Sequence, residues 1–173
     1  TTLLKLVAGI LKPSRGYIAV YGFKPGSFEA RRLTSIVLDR PLLYEDLTVR
    51  ENLELFKTLT GVSPGPYYGA AIEKLSIARV LERRVRELSH GWRRRVDFVR
   101  ALIGNPKLLL FDEATTAFDR DSLEAIAEIL WDAARGGSIV VAAGASESQL
   151  GVLYSYATHR CTLEGGVVSC EAT

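Results

Sequence analysis

Apolar residues recur along this chain with two periods, and the switches between them mark its elements. In residues 2–11, Leu3, Leu6, Val7, Ile10 and Leu11 fall on one face at helical spacing, and the KPSRG that follows breaks the helix. YIAVYG (17–22) reads as a strand closed by glycine, and SIVL (35–38) as a short buried strand. LTVRENLELFKTLTG predicts a helix capped by Thr48, with Glu51 three residues on completing a capping box. Val49, Leu53, Phe56 and Leu59 form its apolar stripe, and Gly61 can end it. VSPGPYYG has the composition of a linker and is followed by helical AAIEKLSIARVLERRV. Ser89 can cap the next helix, whose inward stripe is Trp92, Val96, Val99 and Ile103. KLLLF is the continuous apolar run expected of a parallel strand buried on both faces. Leu123, Ile126 and Leu130 make residues 120–135 amphipathic up to Gly136 and Gly137, and SIVVAA predicts a second buried strand.

Strands alternating with helices predict an α/β domain with a mostly parallel sheet. Residues from about 46 to 95 are helix after helix, which predicts a helical lobe inserted between two parts of a sheet core, 1–45 and 96–173. A chain of 173 residues supports one ordinary domain, and 47% hydrophobic with 24% charged residues is a globular composition. The net charge of +2 lacks the patterned basic excess of a nucleic-acid binder, so no nucleic-acid partner is expected. No apolar run approaches the roughly 18 residues that span a bilayer, and no cationic leader is visible. Methionine is absent even at position 1, so a chain opening on Thr1 is expected to be processed or a fragment.

Cys161 and Cys170 flank TLEGGVVS. With Gly165-Gly166 as a two-residue turn, Glu164 faces Val167, Leu163 faces Val168, and Cys161 faces Cys170 as a non-hydrogen-bonded pair. A cross-strand disulfide is geometrically open to them. The reading preferred from sequence is two small buried thiols in a reducing compartment.

Two motifs carry chemistry. LLLFDE ends a strand on Asp112 and Glu113, and ligands of open α/β sheets bind beyond the carboxyl ends of strands. One carboxylate there can hold hydrated Mg²⁺ while its neighbour orients or deprotonates a water; the plain alternative is a strand stopping at a charged turn. LSHGW opens a helix, whose free N–H groups and positive dipole end suit an anion; the plain alternative is Ser89 as an ordinary N-cap.

Taken together, LSHGWRRRVDFVRALIGNPKLLLFDEATTAFD resembles the ATP-binding domain of ABC transporters, and LKPSRGYIAVYG and YEDLTVRENL extend the resemblance over essentially the whole chain. The resemblance implies a P-loop NTPase-like fold, with ATP and Mg²⁺ as ligands. Ser89, His90 and Gly91 would belong to the signature that touches the γ-phosphate of an ATP held by a second subunit in a head-to-tail dimer. Asp112 would bind Mg²⁺, Glu113 would be the general base, and Asp119 would sit in the loop that communicates across the dimer. The family's phosphate loop leads into a helix much like TTLLKLVAGIL, so Thr1 aligns with the Ser/Thr whose hydroxyl ligates Mg²⁺, beside Thr2. The phosphate loop and the strands before it are then missing. The intact helix behind them points to truncation rather than decay, and residues 1–173 alone are expected to bind ATP weakly.

Departures from the family pattern lie inside the chain. Asp39 stands where a metal- and water-sensing Gln is common, though it could still approach a metal. Gly144 or Ser148 stands where a His contacts the γ-phosphate; His159 is expected on the surface. His90 occupies a signature position usually held by glycine, Trp92 the usual glutamine, and Ala117-Phe118 a common Gly-Leu. Together they weigh against rapid hydrolysis, not against the fold. Arg83, Arg84, Arg86, Arg93, Arg94, Arg95 and Arg100 surround the signature and are expected to be a solvated helix face with one or two ion pairs. The expected role is an ATP-hydrolysing subunit on the cytoplasmic face of a membrane, driving a separate permease subunit that it meets around residues 39–60. The alternative is a degenerate partner that completes another subunit's ATP site.

Overall fold

A computed structural model describes residues 1–113 and 118–173, apart from the side chain of Ser148. The chain runs α1 (Thr2–Val7), α2 (Phe28–Leu33), β1 (Thr34–Val37), α3 (Val49–Thr60) and α4 (Pro66–Lys74). Two 3₁₀ turns (Ile77–Val80 and Val85–Glu87) lead to α5 (His90–Leu102), β2 (Leu108–Asp112), α6 (Arg120–Arg135) and β3 (Ile139–Ala143). Two single-turn helices, α7 (Glu147–Leu150) and α8 (Val152–Ser155), precede β4 (His159–Glu164) and β5 (Val167–Ala172).

Among the described residues, β1, β2 and β3 form a parallel sheet in that order, with Val37 opposite Phe111 and Phe111 opposite Ala142. Alternation along the central strand divides the interior in two. Leu109 and Phe111 join the larger core, which α3, α4, α5 and α6 build around Leu53, Phe98, Val99 and Ile126. Leu108 and Leu110 point the other way, onto Leu4 of α1, Val20 and Ile36. Asp112, two residues past Leu110, therefore lies on the α1 side of the sheet.

Local signals in the sequence act as expected at several places. Thr48 accepts from the Glu51 N–H at 3.1 Å and its own N–H donates to the Glu51 carboxylate at 2.7 Å, closing the capping box. Ser89 caps α5 through the Trp92 N–H, and Gly61 ends α3 in the left-handed region. The terminal hairpin has the expected register, Cys161 opposite Cys170, and its Gly165-Gly166 turn has φ of 56° and 84°, which glycine adopts without a Cβ clash.

Other expectations give way to tertiary context. α1 stops at Val7, and its buried residue is Leu4, while Leu3, Ile10 and Leu11 are exposed. The chain turns at Gly9 because a Cβ there would fall 2.2 Å from the Gly26 nitrogen; backbone meets backbone at that point. Residues 17–22 form no strand. Val20 and Phe23 bridge across a tight turn at Tyr21 and Gly22. The linker-like stretch already starts α4 at Pro66, an N1 proline, and the helix predicted after it breaks at Ser76 into 3₁₀ turns. Leu59 is exposed rather than part of a buried stripe. β3 is an edge strand among the described residues, with Ile139 and Val141 exposed. The boundary expected near residue 95 falls inside α5, which runs unbroken through it.

The cysteine expectation is also corrected. Cys161 and Cys170 are exposed and joined by a disulfide, their Cα atoms 4.1 Å apart. The close approach of a non-hydrogen-bonded pair makes the bond possible; every residue of both strands is exposed, so neither sulfur is buried.

Candidate functional site

The carboxyl ends of β1 and β2 gather most of the residues the sequence singles out. β2 delivers Asp112 at 2% exposure, and the strand's alternation turns it toward α1. There the Thr1 hydroxyl donates to Asp112 Oδ1 at 3.1 Å. Thr1 occupies the N-cap position of α1 but makes no side-chain capping bond, so its hydroxyl faces the carboxylate rather than the helix. Thr2, the first residue of α1, is exposed beside it. A hydroxyl and a carboxylate at this separation are two hard oxygen donors, a set that fits Mg²⁺, which keeps most of its waters and takes few protein ligands. Among the described residues there is no cluster of three or more His, Cys, Asp and Glu that could hold a metal ion.

Glu113 follows in an unusual backbone state, with φ of 44°. A side chain other than glycine in this region is uncommon and is held there by its surroundings. The Glu113 N–H donates to Ala143 O at 3.0 Å, tying it to the end of β3, and its carbonyl accepts from Arg94 Nη2 at 3.4 Å. Gly144, the first candidate for the missing imidazole, directly follows β3 and is exposed; Ser148, the second, lies outside the described side chains. Ala117 likewise lies outside the described residues. His159 is exposed at the start of β4.

Asp39 stands at the corresponding end of β1, exposed, in a loop whose carbonyls at Leu38 and Asp39 both accept from Arg94. That loop and the start of α5 bound a pocket of about 350 Å³, with Asp39, Arg40, Pro41, His90 and Arg93 in its walls. Ser89, His90 and Gly91 form the α5 N-terminus, about 4.5–7.5 Å along the helix axis from Arg94 at a rise of about 1.5 Å per residue. Asp119 caps α6 through the Ser122 N–H at 2.9 Å and pairs with Arg95, which lies 4.7 Å over the Trp92 ring. The Ser122 N–H holds the Asp119 carboxyl below its ordinary value, and Arg95 adds to the effect.

The arginines are only in part a solvated face: Arg83, Arg84 and Arg86 are exposed, Arg93 and Arg95 half-buried. Arg94 is fully buried and Arg100 nearly so, while Arg86 pairs with Asp46, Arg93 with Glu45 and Arg100 with Asp97. The Asp97 carboxylate also accepts from the Leu42 N–H at 3.1 Å, and Arg100 donates to Ile36 O at 2.7 Å. Sequence reasoning missed this network, although Arg94, Asp97 and Arg100 recur at threefold spacing within one helix. Burial pulls Arg94 below the ordinary guanidinium value, against the pull of Asp97, Asp39, Asp112 and Glu113. It also missed Asn52, fully buried, whose side chain accepts from the Tyr44 N–H at 2.8 Å and donates to the Tyr44 and Thr48 carbonyls at 3.0 Å.

The family model described as ABC transporter matches residues 1–116, and the chain belongs to that family. A taurine import ATP-binding protein of Mesorhizobium japonicum is 34% identical over 157 residues, covering 86% of this chain and 59% of that protein. A cytochrome c biogenesis ATP-binding export protein of Rhodopseudomonas palustris is 34% identical over 152 residues, covering 88% of this chain and 74% of that one. This chain thus spans 59% of the length of the first relative and 74% of the second. Among solved structures, an ATP-binding subunit of an ABC transporter superposes with a TM-score of 0.87 at 24% identity, over 99% of this chain and 72% of that one. An ATP-binding cassette dimer in a post-hydrolysis state with ADP and Pi gives 0.77 at 25% identity, over 99% and 79%. The fold is the P-loop NTPase-like α/β fold, with its parallel sheet, that these neighbours share.

Proposed function

We propose that this chain is the ATP-binding, ATP-hydrolysing part of an ABC transporter, and that Thr1, Asp112 and Glu113 lie at the hydrolytic centre. The observation that carries the proposal is the 3.1 Å contact of the Thr1 hydroxyl with the Asp112 carboxylate, with Glu113 next along the strand end. Thr1 and Asp112 would hold Mg²⁺ between them, with Asp39 near enough in the fold to approach it. Mg²⁺, when bound, would neutralise charge on the phosphates. Asp112 is almost fully buried at the strand end. Glu113 takes a proton from the attacking water, the part of a general base. Thr2 sits where the α1 N–H groups can meet phosphate oxygens.

Ser89, His90 and Gly91 at the α5 N-terminus serve an ATP bound by a second subunit in a head-to-tail dimer, and Asp119 lies in the loop that faces that subunit. Residues of about 46–95 act as the helical lobe beside a sheet core of 1–45 and 96–173. The surface around residues 39–60 takes a permease subunit, which places the assembly on the cytoplasmic face of a membrane. Two features support that docking surface: a second pocket of about 280 Å³ between Arg40–Tyr44 and Phe56, and the exposure of Leu42 and Tyr44. Among the described residues no helix is long and apolar enough to cross a membrane.

Gly144 beyond β3 and Asp39 beyond β1 favour a second reading, a subunit that completes a partner's site and turns over little itself. Glu113→Gln in the native protein with its partners separates the two. In the hydrolytic reading, phosphate release falls by about 10²–10⁴-fold while ATP still binds. Unchanged turnover in the variant would assign hydrolysis to the partner.

A further inference from the structure

We infer that Arg94 is a positioning residue, a buried guanidinium that ties the Asp39 loop to the main chain of Glu113 so that the pocket wall and the proposed base keep a fixed relation. The inference rests on the proposed nucleotide site.

A fully buried arginine has given up its hydration and must be repaid in hydrogen bonds. On α5 the close ion pair is formed by its neighbours, Arg100 Nε to Asp97 Oδ1 at 2.7 Å. Arg94 instead directs its two Nη groups at main-chain carbonyls, while its buried Nε makes no hydrogen bond. Nη1 reaches Leu38 O and Asp39 O, and Nη2 reaches Glu113 O. These carbonyls follow the ends of two adjacent parallel strands, where Val37 is paired with Phe111. One planar fork therefore spans both strand ends, and the Phe118 ring, centred 5.7 Å from the guanidinium carbon, lies against it.

The two loops at either end of the fork do different work. The first supplies Asp39, Arg40 and Pro41 to the wall of the 350 Å³ pocket. The second holds Glu113 at φ 44°, a conformation that persists only under restraint. Displacement of the pocket loop would pull on Arg94 and through it on the Glu113 backbone. Arg100 provides the internal contrast: it has the same chemistry on the same helix, but its hydrogen bonds go to Ile36 O of β1 and to Asp97 of α5 itself, with the Phe56 ring against it, so it ties no second strand end. A lysine at position 94 keeps the charge but is a point donor on a flexible stem and cannot serve both loops as a rigid fork.

The test compares Arg94→Lys with Arg100→Lys in the native protein with its partner subunits, reading amide hydrogen exchange and Mg·ATP turnover. Arg94→Lys should speed exchange in residues 38–42 and in residues 112–113 together, and lower kcat about tenfold to a hundredfold. KM for ATP should stay within about twofold, since ground-state binding is untouched. Arg100→Lys should speed exchange only near residues 36–42 and leave kcat within about twofold. Equal losses of kcat in the two variants would make Arg94 a structural residue and overturn the inference, as would Arg94→Lys loosening one loop alone. If the wild-type protein does not turn over ATP, the hydrolytic reading fails. The exchange result still decides this inference: joint loosening upholds the tie, and single-loop loosening overturns it.

Discussion

On α5, Asp97 is fully buried and accepts from Arg100 and from the Leu42 N–H, so its place depends on residues 3 and 55 positions away in sequence. In the β4–β5 hairpin every residue is exposed, and the structure rests on the Gly165-Gly166 turn, a six-pair ladder and the Cys161–Cys170 bond. One region is held by the rest of the molecule and the other by itself. The proposed site lies in the first. A strand end that carries Asp112, with a strained Glu113 beside it, can be held only by groups brought in from several elements. A two-stranded ribbon has no third layer from which to supply them.

That contrast can be broken at its strongest point first. Arg100→Met would leave Asp97 buried without its cation and Ile36 O without its donor, and should cost about 3–5 kcal/mol. This is a large share of the 5–15 kcal/mol or so that holds an ordinary domain. Denaturant unfolding followed by tryptophan fluorescence would measure it, and a loss under about 1 kcal/mol would mean that the interior does not depend on the pair.

The hairpin should respond in the opposite way. Replacing Cys161 and Cys170 together by Ser removes the closure of a short loop, which should loosen β4 and β5 by about 2–3 kcal/mol. Because the effect is local, exchange of the β4–β5 amides should speed up while the β2 amides keep wild-type protection. Faster exchange in β2 would show that the hairpin supports the core after all. Thr48→Ala gives the smallest expected effect. The capping box of α3 is exposed and local, so its loss should cost about 1 kcal/mol, read as a shift of roughly 2–4 °C in Tm.

Legibility followed the same division. Thr48, Ser89, Gly61 and the hairpin register are settled by neighbours a few residues away, and each was readable as a short pattern. Asp112 and Glu113 were readable because an apolar strand ending in two carboxylates is a local anomaly. The depth of Arg94, Arg100 and Asn52 was not, since a charged helix residue looks the same in solvent or under a loop until the loop is in place. The exposed face of β3 was misread for a related reason. An edge strand and a central strand can share one composition, and the difference lies in which strands lie alongside.

The sequence by itself determined the capped helices, the buried central strand, the family and the candidate site residues, because each is written in spacings of a few positions or in ordered motifs. Tertiary structure alone decided three matters: that Thr1 meets Asp112 across 111 positions, that Arg94 bridges two strand ends, and that the cysteines pair in solvent. The physical reason is common to all three. Hydrogen bonding, desolvation and exposure depend on what surrounds a group, and most of those surroundings arrive from distant parts of the chain.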